Sequence, residues 1–255
     1  MKIITVVKLP YKLLRFIKNA IYEIFLRKMP LDDFGNYEEY WEKREKQNEE
    51  ILFRDKWISN QIERNSYVLD IGCGNGRFLK YLKSLELNLF LYGIDLSKKN
   101  IENLKKNGID GCVLDLEKEN LIEKLNELNI KFDYVVLMEI IEHLYNPESL
   151  MEQLKKIKAK KYFVTIPNLG YIIHRLRLFL GGKMPITTII FHIKEHIRFW
   201  TFSDFIYWSN KLGFKCSSYK GQTGFPVLWR LFPSLFASQI IYVLEIKEDY
   251  LYEKR

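Results

Sequence analysis

The run Tyr67-Val68-Leu69-Asp70-Ile71-Gly72-Cys73-Gly74-Asn75-Gly76 is a short apolar strand that ends in closely spaced glycines. A helical pattern follows over residues 77–85, with Phe78, Leu79, Leu82 and Leu85 on one face. Strand, glycine turn and helix open an α/β unit, and glycine lets the backbone turn tightly with no Cβ between loop and ligand. The spacing is G-x-G-x-G, not the G-x-G-x-x-G of a dinucleotide site. Asp70 precedes the first glycine by two residues. A carboxylate there suits a ligand with a positive end and opposes a pyrophosphate. An ordinary glycine-rich turn is the plainer reading of the same residues.

Outward from this run, strands and helices alternate. Apolar patterns predict strands over 89–94, 112–114, 132–138 and 162–166. Helices are expected from the Ser97 cap to about 106, near 121–128, and from Pro147 to about 157. After an irregular stretch come a helix over 203–212 and strands near 214–218 and 240–246. These elements predict an α/β fold with a Rossmann-like seven-stranded, mostly parallel sheet and helices on both faces.

Two further acids fall at strand ends. In Gly93-Ile94-Asp95-Leu96-Ser97, Asp95 closes the second strand, where a carboxylate accepts from both hydroxyls of a ribose. Its alternative is a helix cap, a task Ser97 already performs. In Leu114-Asp115-Leu116, Asp115 is placed to accept from an adenine amino group and Leu116 to cover the ring, or Asp115 simply forms the loop.

Together these segments resemble the class I S-adenosylmethionine (SAM)-dependent methyltransferases. Residues 67–76 look like that superfamily's first motif, Gly93-Ile94-Asp95 and Asp115-Leu116 like its next two, and Phe132 to Glu139 like its fourth-strand motif. The resemblance implies SAM as cofactor and methyl transfer as activity. It implies cofactor contacts from Asp70, Gly72, Gly74, Gly76, Asp95, Leu96, Asp115, Leu116, Met138 and Glu139. A narrower resemblance, in Pro167-Asn168-Leu169-Gly170-Tyr171, Arg175-Leu176 and Gly181-Gly182-Lys183-Met184-Pro185, is to the MetW-like group. Glu142-His143-Leu144 and residues 196–201 look more like methyltransferases of quinones or surface sugars. A MetW-like SAM-binding partner of another enzyme is the alternative these residues leave open.

The acceptor side is read from charge. His143 follows the fourth strand, and histidine's unperturbed pKa of about 6.5 suits a general base, though His143 equally serves to order the loop before Pro147. Residues 167–200 are too long for a plain connector and carry His174, Arg175, Arg177, Lys183, His192, Lys194, His196 and Arg198 against one acid, Glu195. Arg175, His196 and Arg198 are candidates to hold an anionic group on a small or lipid- or sugar-linked acceptor, against the alternative of a solvated basic face. With carboxylates scarce in that segment, no metal is expected.

Composition bounds the rest. The 255 residues carry a formal charge of +8, compatible with an anionic substrate or a membrane surface. Cys73, Cys112 and Cys216 lie far apart and fit a reducing cytoplasm. No apolar run reaches the roughly 18–20 residues of a transmembrane span. No nucleic-acid module is recognisable and no nucleic-acid partner is expected; nothing in the pattern sets an oligomeric state. Residues 1–48 differ from residues 49–255, the methyltransferase part with its acceptor insertion near 167–200. A basic amphipathic helix after Pro10, with Leu13, Leu14, Ile17, Ile21, Ile24 and Phe25 at helical spacing, is broken at Pro30 and Gly35. A second helix rich in charge and aromatics follows, with Tyr37, Tyr40 and Trp41. The region reads as a cap over the cleft or as a peripheral membrane-surface segment.

Overall fold

The computed structural model describes residues 13–33, 35–44 and 50–251. The expected helix start after Pro10, with Lys12, lies outside the described residues, as does the end of the N-terminal region at 45–48. Seven strands run in the order β3-β2-β1-β4-β5-β7-β6. They are β1 (Tyr67–Ile71), β2 (Phe90–Asp95), β3 (Asp110–Val113), β4 (Tyr134–Met138), β5 (Lys161–Pro167), β6 (Phe214–Gly224) and β7 (Ala237–Ile246). The first five are parallel to one another, and β7 runs antiparallel between β5 and β6. The mostly parallel seven-stranded sheet read from the sequence is therefore the sheet found.

Period-two alternation divides the core into two layers. Leu69, Ile71, Val135, Leu137, Tyr162, Val164, Tyr242 and Leu244 enter one cluster. Val68, Tyr134, Val136, Phe163, Ile241 and Val243 enter the other, with Phe78, Leu79 and Leu82 of helix α4 (Arg77–Ser84). Asp70 occupies an interior strand position where an apolar residue belongs, which makes it the costly residue of the sheet.

The remaining helices are α1 (residues 13–21, closing in a π turn over Tyr22–Leu26), α2 (Tyr37–Arg44), α3 (Phe53–Ser59), α5 (Lys98–Lys106), α6 (Leu121–Asn126), α7 (Pro147–Ile157), α8 (Ile172–Phe179) and α9 (Phe202–Lys211), with the short α10 (Leu228–Leu231) and α11 (Pro233–Phe236). Ser97 caps α5 by accepting from the Asn100 amide, and Asn146 with Pro147 starts α7.

Helix α8 stands inside the stretch read as irregular. Its Ile173 and the preceding Tyr171 pack on Ile24 in the π turn that closes α1. Arg177, 3% exposed, fixes that pairing: it donates to the carbonyls of Met184 (2.7 Å), Arg27 (2.9 Å) and Glu23. The last carbonyls of a helix have no intrahelical donor, and this guanidinium supplies one. Gly181 is required at the crossing, because a Cβ there would stand 2.3 Å from the Ile24 carbonyl oxygen. Among the described residues no helix is long and apolar enough to cross a membrane.

Candidate active site

A cavity of about 490 Å³ opens at the carboxyl ends of β1, β2, β3 and β4. In open α/β sheets ligands bind there, where the strand order reverses, here between β1 and β4. Asp70, Gly72, Gly74, Asp95, Leu96, Asp115, Leu116, Met138, Glu139 and His143 line it. Gly76, Arg175, His196 and Arg198 are not among its lining residues.

Asp70 is 1% exposed, and among the described residues neither of its carboxylate oxygens has a hydrogen-bond partner. Burial, reinforced by the negative charges of Asp95 and Asp55, raises its pKa to about 8. Arg54 and Arg77 pull the other way and do not compensate. An orphaned carboxyl in a ligand cavity is costly unless a cation or donor arrives with the ligand. The methionine end of SAM carries an ammonium and a sulfonium, so the donor set fits that group.

Asp95 is engaged differently. Its Oδ2 accepts from the Gly74 amide (2.8 Å), and its Oδ1 accepts from the Ser97 amide (2.9 Å) and Asn100 Nδ2 (3.2 Å). A carboxylate offers about four lone-pair sites, so three are taken by protein donors and about one is left for a ribose hydroxyl. Burial raises its pKa, and these bonds oppose the rise. Asp115 pairs with Lys118 (2.9 Å) and accepts from the Glu117 amide (3.0 Å), and the lysine bond holds its pKa down.

The glycines do more than bare a loop. Gly72 has φ +72°, and a Cβ there would lie 1.9 Å from Cδ1 of Ile140, so the β4 loop packs directly on the β1 loop. Gly74 and Asn75 line the cavity; Gly76 instead begins α4 and packs on Leu104.

Just beyond β4, Glu139, read from the sequence as a cofactor contact, has φ +57°, an uncommon conformation for a side-chain-bearing residue. Three donors hold its carboxylate there: Thr165 Oγ1 (3.1 Å), Thr188 Oγ1 (3.1 Å) and Gln239 Nε2 (2.9 Å). His143 is half-buried and its Nδ1 bonds the Glu195 carbonyl. Arg198 is exposed, lies outside the cavity lining and donates to the Tyr145 carbonyl. The Ile197 and Arg198 amides both donate to the Glu142 carbonyl (3.0 and 3.1 Å), so the Arg198 and His143 segments are tied together. Arg175 is exposed and bonds the Gly170 carbonyl (2.7 Å). His196 is buried with Nδ1 against Thr187 Oγ1 (2.8 Å).

Several lining residues escaped the sequence reading. Arg77 makes a two-pronged pair with the fully buried Asp55 (2.7 and 3.2 Å), and Arg54 approaches Glu139 (3.7 Å). Arg54 and Arg77 also line the cavity, with Tyr37 and Tyr40 of α2. Glu38 docks α2 on the start of α5, accepting from Ser97 Oγ (2.7 Å) and the Lys98 amide (3.0 Å). These contacts span 22 to 85 residues and leave no local signal.

Sheet order, glycine loop and three acidic strand ends define a class I SAM-dependent methyltransferase. The chain belongs to the family described as methionine biosynthesis protein MetW, which matches residues 54–244. It is also similar to the ubiquinone biosynthesis O-methyltransferase of Colwellia psychrerythraea (strain 34H / ATCC BAA-681), 25% identical over 67% of this chain and 73% of that protein. The enzyme of the same description from Pelagibacter ubique (strain HTCC1062) is 33% identical over 44% of this chain and 45% of its own length. The crystal structure of a TehB-like SAM-dependent methyltransferase from Corynebacterium glutamicum ATCC 13032 Kitasato shares the fold, with a TM-score of 0.54, 16% identity, and coverage of 83% of this chain and 97% of that one.

Proposed function

We propose that this chain methylates a hydroxyl oxygen of a small or lipid- or sugar-linked acceptor that carries an anionic group. SAM, when bound, supplies an electrophilic methyl group. Asp70 holds its cationic methionine end, Asp95 and Asp115 its adenosine portion, and Leu96, Leu116 and Met138 give apolar cover. The observation that carries the reading is the pairing of His143, inside the cavity, with Arg198 on the segment tied to it. An imidazole there takes a hydroxyl proton, and a guanidinium on the tied segment meets a phosphate or carboxylate on the same acceptor. Arg175 has no comparable link to the His143 loop, so Arg198 is preferred. The O-methyltransferase relatives add support for oxygen as the acceptor atom. Lipid linkage draws support from the exposed apolar residues of α1 (Leu14, Ile17, Ile21) and of the end of α8 (Leu178, Phe179, Leu180).

The family match gives weight to a second reading, a SAM-binding partner of another enzyme. One experiment separates them. The full chain is incubated with methyl-deuterated SAM and fractionated cell extract, and products are sought by mass spectrometry. A labelled, anionic O-methyl product supports the enzyme reading. Its Arg198→Ala variant should raise KM about ten-fold with little change in SAM affinity. Label on no extract component, with SAM binding intact, favours the partner reading.

A further inference from the structure

We infer that Glu142, His143 and His196 form a divalent-cation site beside the cavity, which His143 lines. The 3₁₀ turn Ile141–His143 sets the first two side by side, and the Ile197 and Arg198 amides clamp the His196 segment onto the Glu142 carbonyl. One ligand atom from each of the three residues lies within 4.8 Å of the others. An ion with bonds of about 2.1 Å holds its ligand atoms about 3–4 Å apart, so a small side-chain adjustment completes the set. The two rings already meet edge to face at 4.7 Å.

The surroundings match what metal-binding histidines require. Such a histidine is oriented by a bond from its second ring nitrogen, most often to a carbonyl or carboxylate. Here His143 Nδ1 faces the Glu195 carbonyl, so it is the protonated nitrogen and Nε2 carries the lone pair. His196 Nδ1 is held by Thr187 Oγ1 (2.8 Å). Glu142 is 1% exposed and His196 5% exposed, so the ion would be shielded from water on the protein side. Its remaining positions would open toward the cavity that His143 lines.

Two imidazoles and a carboxylate select manganese, iron, cobalt or zinc over magnesium and calcium, which prefer all-oxygen sets. The role at this site rests on the O-methylation reading above. The cation would bind the acceptor hydroxyl and lower its pKa; the O–H bond breaks, the proton passes to water, and the electron pair stays on the nucleophilic oxygen. His143 would then be a ligand, and an acceptor with two neighbouring oxygens would be preferred.

The site is tested without any acceptor. The full chain, stripped with chelator and dialysed, is titrated with Mn²⁺ by electron paramagnetic resonance and with Co²⁺ by visible absorbance. One tight site per chain is expected, weakened at least about ten-fold in Glu142→Gln and in His196→Ala. SAM affinity of each variant and its thermal melt report whether the fold survives. His196→Asn is a milder substitution, to be used if His196→Ala unfolds. Absence of Mn²⁺ and Co²⁺ binding, or binding unchanged in folded variants, overturns the site. These outcomes are independent of whether an O-methyl product is ever found.

Discussion

Replacing Asp70 by Asn should make the ligand-free protein more stable as pH rises while weakening its hold on SAM. The carboxyl keeps its proton to about pH 8 in the folded chain but releases it near 3.8 when exposed. Between those values the folded state binds more protons than the unfolded state, so stability falls with rising pH. At pH 7 the penalty has an upper bound of about 4 kcal/mol, since each pH unit above 3.8 is worth about 1.4 kcal/mol. Local relaxation and water entry reduce it. Asn does not titrate, so this slope disappears in the variant. The buried amide also brings an unsatisfied-donor cost of about 1–3 kcal/mol, which does not vary with pH. The decisive quantity is therefore the change in stability difference with pH. Urea denaturation of both proteins at pH 5, 6, 7 and 8 should show Asp70→Asn gaining on the parent by about 1–3 kcal/mol across the range. A difference that stays flat from pH 5 to pH 8 would refute the assignment of a protonated Asp70. With ligand the sign reverses: loss of a charged partner should cost about 1.5–3 kcal/mol of SAM affinity, roughly ten- to a hundred-fold.

Other substitutions probe the rest of the cradle. Asp95→Ala should lower SAM affinity about ten- to a hundred-fold and also destabilise the fold by about 1–3 kcal/mol, because the Gly74 and Ser97 amides lose their acceptor; calorimetry and denaturant melts measure the two effects separately. Gly72→Ala should cost about 2–4 kcal/mol through its positive φ and the Ile140 contact, and adding Ile140→Ala should recover the steric part only, as a double-mutant cycle in denaturant will show. If α1 contacts lipid as proposed, the full chain should sediment with anionic vesicles at low salt and be released at high salt; binding that is absent at low salt would remove the lipid-surface reading of its exposed apolar face.

What the sequence made legible was local. The β1 apolar run, the glycines after it, the Ser97 cap and Pro147 all act within a few residues of themselves, and each stands where its pattern put it. Helix α8 was missed because Tyr171 at its start supplies no capping side chain and its apolar face makes sense only against α1. Strand β3 starts at Asp110 rather than near residue 112, since Gly111 reads as a turn from sequence but pairs with Gly93. Strand β6 runs to Gly224, well past residue 218, with three register irregularities that blur its period-two signal. At the site, Asp70 was legible because a carboxylate within an apolar strand is conspicuous. Arg54, Asp55, Arg77 and Glu38 were not, because the sheet brings them together from far apart. The cations of residues 167–200 were legible as charge but not as function: Arg175, Arg177 and Arg198 all bond backbone carbonyls.

The central claim is that the cavity beside Asp70 is a SAM site, and isothermal titration of the full chain with SAM tests it most directly. One site per chain is expected. Binding should strengthen from pH 6 to pH 8 as Asp70 ionises, and in that range it should release protons, detected as a dependence of the observed heat on the buffer's ionisation enthalpy. No SAM binding, or tighter binding of NAD than of SAM, would contradict the account.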